Sequence, residues 1–431
     1  MLIERPKYLK MLMDARGDGQ VKVLTGIRRC GKSFLLKELF KSALIREGVD
    51  PSDIIYVPLD EIEYSNLRNP FALSNYLKDK TSDSAKRYYI FLDEVQFVTP
   101  TKNPADPQGE KITFIDVALS LRQKGNLDVY LTGSNSKMLS SDILTQFRDR
   151  DTQIRVRPLS FSEFLPASGL DGEAAFSEYM LHGGMPLAVL KKDDDAKEEY
   201  LKKLFETTYF KDIIEHNKVR LQKQMGELCD FLASNIGQKT DPTKLANTFK
   251  SVERIDIGKD AISTYIDYFA DAFIVEKAKR TDIKGKKYIG ASAKYYFADL
   301  GLRNARLNFA HEDYGQAMEN ILYNELRCRG YSVDVGVVPY YYDDENGVTQ
   351  KTDLEVDFVA TKGSKKYYIQ SAYELDTQEK IGQEEKSLLR IEDSFKKIVV
   401  VKDSKKVRRN EYGIATMGVA YFLTNLDSLD E

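Results

Sequence analysis

Residues 26–33 read Gly-Ile-Arg-Arg-Cys-Gly-Lys-Ser, and Phe34 follows. The spacing G-x-x-x-x-G-K-[ST] leaves the chain little freedom. Glycine at both ends lets the backbone curl so that successive N–H groups point inward, and a helix beginning at once aims its N-terminus at the same point. A strand has to lead in and a helix has to lead out. Both are legible: Val21-Lys22-Val23-Leu24-Thr25 is a short β-branched run, and Phe34-Leu35-Leu36-Lys37-Glu38-Leu39-Phe40 has helical apolar spacing. Such a loop is built to hold phosphate. Its candidate contacts are Gly26, Ile27, Arg28, Arg29, Cys30, Gly31, Lys32, Ser33 and Phe34. Lys32 is placed to reach the β and γ phosphates of ATP, and Ser33 to ligate Mg2+. The bland alternative is a glycine turn ahead of a helix.

A second element tips the balance. Tyr88-Tyr89-Ile90-Phe91-Leu92-Asp93-Glu94 is an apolar run without alternation, as expected of a strand buried on both faces, and it ends in two acids. Asp93 at the strand end is placed to hold Mg2+ through water. Glu94 is placed to orient or deprotonate an attacking water. A protein that only binds nucleotide has no need of the second carboxylate, although two solvated acids at a strand end would look the same. A third run, Leu127 to Thr132, ends in Gly133, Ser134, Asn135 and Ser136. Thr132, Ser134 and Asn135 are candidates for a polar group reading the γ-phosphate. Asn135 is the preferred one, with a helix-capping role as its rival. Asp53 to Leu59 supplies another strand. Strands alternating with helical stretches over residues 1–157 predict an α/β fold with a parallel, doubly wound sheet.

At 431 residues the chain is too long for one core, so several domains are expected. The net charge of −3 advertises no global affinity for nucleic acid, and any such contact has to be a local patch. Three scattered cysteines, Cys30, Cys229 and Cys328, suit a reducing cytoplasm and rule against a disulfide framework or a zinc cluster. No apolar run reaches membrane-span length and the first residues lack a signal-peptide core, so a cytoplasmic protein without a membrane partner is expected.

These segments resemble those of the prokaryotic AAA-like (additional-strand P-loop) ATPases whose C-terminal half is a domain of unknown function. The resemblance rests on Thr25–Ser33, Leu92–Gln96 (Leu-Asp-Glu-Val-Gln) and Leu131–Leu139. It continues through Pro158–Phe164 (Pro-Leu-Ser-Phe-Ser-Glu-Phe), His182–Pro186 (His-Gly-Gly-Met-Pro) and Tyr209–Ile214, nearly end to end. It implies ATP and Mg2+ as ligands. Members usually carry Gly-Arg shortly before the Pro-Leu-Ser-Phe segment. Here the pair is Asp149-Arg150, with Arg148 ahead of it. Arg150 is a candidate arginine finger, in cis or from a neighbouring copy in a homo-oligomer. A solvated arginine is the other reading.

Residues 158–220 read as a helical linker whose Gly183-Gly184-Met185-Pro186 cluster is a turn. Residues 221–312 read as a winged-helix-like domain: three helices, the third at Ala261–Asp271, then a basic hairpin. Lys259, Ser263 and Thr264 on that helix, and Lys277, Lys279, Arg280, Lys284, Lys286 and Lys287 on the hairpin, make double-stranded DNA a candidate partner. Acids on the third helix (Asp260, Asp267, Asp271) leave a protein partner equally open.

Residues 313–431 show a helix at 316–330, strands near 332–338, 354–360 and 366–374, a helix at 379–391 and a strand at 397–402. The order resembles the restriction-endonuclease-like fold. That resemblance implies Mg2+ on an Asp, followed by a Glu/Asp-x-Lys pair on the next strand and sometimes a glutamate from the first helix. Glu319 and Asp357 fill two places, but the pair is replaced by Gln370-Ser371-Ala372. Glutamine is a poor Mg2+ ligand, and alanine supplies no ammonium. The expectation is a degenerate domain that does not cut DNA. For the whole chain, ATP hydrolysis coupled to a C-terminal effector is expected. The alternatives are a nucleotide-gated DNA-binding module with negligible turnover, or an ATP-regulated nuclease.

Overall fold

In the computed structural model, residues 2–133, 147, 149–251, 256–285, 287–310, 313–403 and 407–431 are described. They form two compact units, Met1–Pro158 and Leu159–Glu431.

The first unit is built on five strands: β1 (Val21–Thr25), β2 (Ile54–Pro58), β3 (Tyr88–Asp93), β4 (Leu127–Thr132) and β5 (Asp151–Arg155). They lie in the order β2-β3-β4-β1-β5, every pairing parallel. Every residue of β1, β3 and β4 is buried, because helices cover both faces. On one face Val21, Val23, Ile90, Leu92 and Val129 pack with residues of the helices Pro70–Lys80 and Phe114–Arg122. On the other, Phe40 meets Phe91 and Tyr130 with ring centroids 5.6 and 5.0 Å apart. Phe40 comes from helix α1, the unbroken helical run Lys32–Phe34, Leu35–Phe40 and Lys41–Arg46, whose middle part is wound as π-helix. Each such buried side chain contributes about 1.5–3 kcal/mol.

A buried ion pair sits inside this sheet. Lys22 is fully buried on β1, where it pairs with Asp128 of β4 and, at 2.8 Å, with Asp18. Its register partner Tyr130 donates its hydroxyl to the same Asp128 at 3.0 Å, and the lysine lies 5.4 Å above the Tyr130 ring. A lysine in this run is tolerated because Asp128 and Tyr130 are buried with it.

The second unit opens with helices Phe161–Ser168 and Gly172–His182. The Pro-Leu-Ser-Phe-Ser-Glu-Phe segment has a local reason: Ser160 and Glu163 form a capping box, with Ser160 N–H donating to Glu163 at 3.0 Å. The His-Gly-Gly turn also has one. Gly183 has φ +70°, and a Cβ there would overlap the Asp299 carboxylate and the Gly301 nitrogen. Gly184 N–H donates to Asp299 at 2.7 Å, and Asp299 also caps helix Leu300–Arg306. Burial pushes the Asp299 carboxyl up to about 6, against the pull of its backbone donors.

Helices α2 (Gln222–Ser234), α3 (Pro242–Ser251) and α4 (Lys259–Asp271) follow, then the hairpin β6 (Val275–Asp282) and β7 (Lys287–Phe297). Thr240, between α2 and α3, bridges Ala293 of β7 through two backbone hydrogen bonds of 2.8 and 3.0 Å. The expected three helices and hairpin are thus formed. The hairpin, however, does not stand alone. β6 pairs in parallel with β8 (Ser332–Asp343), so one sheet takes strands from both of the segments expected to be separate domains, 221–312 and 313–431. It continues through β9 (Thr349–Lys362), β10 (Lys365–Ala372), β11 (Lys396–Val401), β12 (Arg408–Arg409) and β13 (Ala415–Gly418) in the order β12-β13-β11-β10-β9-β8-β6-β7. Helix α5 (Tyr314–Cys328) precedes β8, and helix α6 (Gln378–Leu389) links the parallel pair β10 and β11. This is the helix–three strands–helix–strand order anticipated for residues 313–431.

Gly169 also has a positive φ, +68°, but open space around its Cβ position. Gly169→Ala should therefore cost only the left-handed backbone penalty, about 1 kcal/mol. Gly183→Ala adds overlap with Asp299 and should cost about 3 kcal/mol or more. Thermal unfolding of the two variants should separate them by several degrees; equal losses would mean that the turn is not close-packed.

Candidate functional site

The loop 26–34 joins the carboxyl end of β1 to α1, and its side chains sort by position. Ile27 and Cys30 are buried and anchor the loop, while Arg29 and Phe34 are exposed and Arg28 is half-buried. Cys30 Sγ donates to Val156 O at 3.4 Å, and Arg5 donates to Cys30 O at 3.1 Å and Arg157 O at 2.8 Å. Gly26 (φ +138°) lies so close to Val156 that a Cβ would strike its carbonyl. Arg29 (φ +65°) and Gly31 (φ +100°) complete the curl. Lys32 Nζ is buried and donates to Gly26 O at 2.9 Å and Ile27 O at 3.1 Å, so its ammonium lies across the loop's own mouth.

Asp93 is the meeting point. Ser33 Oγ donates to Asp93 Oδ1 at 3.0 Å, Thr132 Oγ1 donates to the same oxygen, and Tyr56 OH donates to Oδ2 at 2.6 Å. Burial and the neighbouring Asp93 push the Tyr56 hydroxyl far above the usual phenol range, which keeps it a donor. Ser33 and Asp93 offer hard oxygen atoms side by side, the donor set that suits Mg2+. Glu94 follows in a left-handed conformation (φ 55°, ψ 51°), uncommon for a residue with a side chain. Its N–H donates to Thr132 Oγ1 at 3.1 Å, and its carboxylate accepts from Gln96 Nε2.

Lys32, Ser33, Asp93 and Glu94 are thus brought to one end of the sheet. Thr132, a candidate passed over for Asn135, joins both acids. Tyr56 carried no sequence signal, since a tyrosine in an apolar strand reads as core. Asn135 lies outside the described residues, as do Ser134 and Arg148. Arg150 is not brought to the loop. Its carbonyl accepts from Val21 N–H at 3.0 Å, which puts it at the amino end of β1. The phosphate loop begins at the other end, about 13 Å away at 3.3 Å per residue. A cis arginine finger therefore has no geometric support.

The other candidates lie in the second unit. Lys259, Ser263, Thr264, Lys277, Lys279, Lys284 and Lys287 are exposed, beside the equally exposed Asp260 and Asp267. Arg280 departs from the expectation of a phosphate-facing side chain: it is buried, because β6 is an inner strand, and pairs with Asp353 at 3.9 Å. Lys286 lies outside the described residues. Glu319 and Asp357 do converge, and Gln370 stands beside Asp357, its Oε1 accepting from Asp357 N–H at 3.3 Å. Sequence reading missed the fourth member, Lys294 of β7, which pairs with both. A lysine within the buried run Ala293-Lys294-Tyr295-Tyr296 was the signal. Among the described residues, Glu178, His182 and Asp194 also gather metal-type ligand atoms, but Lys197 already bridges Glu178 and Asp194 at 2.7 and 2.8 Å.

Comparison with known proteins identifies the domains. Residues 18–165 match the family model described as an AAA domain. Residues 173–313 and 314–422 match two models described as domains of unknown function (DUF8612 and DUF4143). An uncharacterized protein of Haemophilus influenzae is 32% identical over 404 residues, 93% of each chain. One of Methanocaldococcus jannaschii is 27% identical over 373 residues, 83% of this chain and 75% of its own. Among solved structures, AMPPCP-bound DnaA from Aquifex aeolicus is 13% identical at a TM-score of 0.30, covering 62% of this chain and 86% of its own. The Aeropyrum pernix ORC1 protein in complex with DNA is 14% identical at 0.28, covering 72% and 93%. Likeness at those scores decides nothing here; the matched domains and the full-length relatives do. The chain belongs to the family of AAA-type, P-loop ATPase-like proteins that carry two domains of unknown function after the AAA domain.

Proposed function

We propose that the chain binds ATP with Mg2+ at residues 26–34, hydrolyses it, and couples the cycle to its C-terminal half. The observation that carries this is the convergence of Ser33 and Thr132 on the Asp93 carboxylate beside the loop, with the Glu94 N–H donating to the same Thr132 hydroxyl.

Each residue has a task. Entering phosphate oxygens replace Gly26 O and Ile27 O as acceptors for the Lys32 ammonium, and the loop N–H groups hold the rest of the phosphate charge. Ser33 and Asp93 would hold Mg2+, which would supply charge screening on the phosphates. Glu94 takes a proton from water as the water oxygen bonds to the γ-phosphorus. The bond from that phosphorus to the β–γ bridging oxygen breaks, leaving ADP and phosphate. Thr132 holds the Glu94 backbone and the Asp93 carboxylate in one register. Asn135 is kept as a candidate γ-phosphate reader. Arg150 fits an arginine finger only in trans, which requires a homo-oligomer.

The effector is the three-helix and hairpin segment, read as winged-helix-like, with the sheet it joins. Double-stranded DNA is supported by Lys277, Lys279 and Lys287 on the hairpin, and a protein partner by the acids on α4. The degenerate 370–372 triplet supports a non-cutting effector. A nucleotide-gated switch with little basal turnover also has an observation in its favour: the Gln96 amide donates to the Glu94 carboxylate, the group that would otherwise be free to take a proton from water.

Phosphate release from ATP, with and without duplex DNA, tests these readings. Lys32→Ala should lose nucleotide binding. Glu94→Gln should retain binding while turnover falls about 100-fold or more; turnover equal to wild type would remove Glu94 from the chemistry. Thr132→Val, which removes both contacts of that hydroxyl, should slow turnover about 10-fold or more, the equivalent of about 1.4 kcal/mol or more, with nucleotide affinity nearly unchanged.

A further inference from the structure

The C-terminal sheet contains a buried ion cluster whose shape has little to do with a metal site. Lys294, 5% exposed, extends from β7 to Glu319 on α5 at 2.9 Å and to Glu355 and Asp357 on β9 at 2.8 and 3.3 Å. An ammonium has three N–H donors, and here three carboxylates stand ready to receive them. The carboxylates have further partners. Tyr296 OH donates to Glu319 at 2.6 Å, and Ser371 N–H donates to Asp357 at 2.9 Å. Burial, with Asp357 beside it, pushes the Glu319 carboxyl above its ordinary range.

Glu319 and Asp357 are the two positions that the nuclease-like resemblance would assign to a divalent ion. The residues present do not fit one. One oxygen of each carboxylate is turned to Lys294 and Asp357 Oδ2 accepts from Ser371 N–H, so a cation drawn to these acids would have to share them with the ammonium. Beyond that competition for the same oxygens, two positive charges about 4 Å apart repel by about 4 kcal/mol per unit charge at an effective dielectric of 20. At the pair that should complete the site, Gln370 is neutral and Ala372 is buried and featureless.

We propose that Lys294 is a resident cation standing where the related nuclease folds hold a divalent metal, so that the cluster is a metal-free lock tying β7 to α5 and β9. The proposal rests on the reading of the C-terminal half as a non-cutting effector, and it adds the reason for that state. The lysine comes from the hairpin, not from the strand after Asp357. The same residue that fills the site therefore fastens the hairpin-bearing segment to the sheet. Removing it leaves buried, uncompensated carboxylates, which is strongly destabilising unless another cation enters.

The test is Mn2+ binding to the nucleotide-free, full-length chain, counting only the ion that Asp357→Asn abolishes. Wild type should bind no such ion at millimolar Mn2+. Lys294→Ala should unfold at a lower temperature, gain one Asp357-dependent Mn2+ with affinity improved about tenfold or more, and recover several degrees of thermal stability when Mn2+ is added. Lys294→Arg should keep the cluster closed to Mn2+. Asp357-dependent Mn2+ binding by wild type would overturn the proposal, and this arm does not depend on how any lysine variant folds. A folded Lys294→Ala that takes up no Mn2+ would also overturn it, with the non-cutting reading left standing. Mn2+-dependent nicking of plasmid DNA by wild type, lost in Asp357→Asn, would sink that reading and the proposal together.

Discussion

Three hydroxyl groups from three separate segments donate to one carboxylate, and the N-terminal unit is organised around that fact. Asp93 receives Ser33 from the start of α1, Thr132 from the end of β4 and Tyr56 from β2. The strands β2, β3 and β4 are neighbours, so the hub forms only if the sheet is assembled in that order. Hydrogen bonds to a charged group are the stronger kind, and burial removes the competing water. The hub therefore reports correct folding and presents the phosphate loop and the acidic pair to the same point.

The loop itself is held from behind. Ile27 and Cys30 sink into the core, Gly26 presses on Val156, and Arg5 clamps two carbonyls of the loop and of the chain after β5. Pinning the back of the loop leaves it little freedom to lose on binding, which is how a rigid site gains affinity.

In the C-terminal unit, buried charges tie distant segments of the chain together. Arg303 is 1% exposed and reaches Ala233 O at 2.6 Å and Asp313 at 3.1 Å. Arg329 spans Glu325, Ser428 and the Phe422 carbonyl. Lys294 spans three acids. Each joins segments far apart in the chain, and each is satisfied within the unit. Such groups add less net stability than their geometry suggests, but they penalise any arrangement that separates the partners.

The sequence alone determined the phosphate loop, the strand that ends in Asp93-Glu94, the parallel sheet and the element order of the C-terminal half. Those signals are local: glycine spacing, an apolar run ended by acid, and periodicities of 2 and 3.6 residues need no knowledge of distant neighbours. Only the tertiary structure decided that Thr132 and Tyr56 belong to the Asp93 hub, that Arg150 lies at the wrong end of the sheet for its own loop, and that Arg280 is buried. It also decided that the hairpin is an integral part of the large sheet and that Lys294 closes the acidic cluster. Lys294 and Asp357 are 63 residues apart. Nothing in one strand's pattern says which strand will lie beside it, and the partner of a buried charge is set by strand order and register.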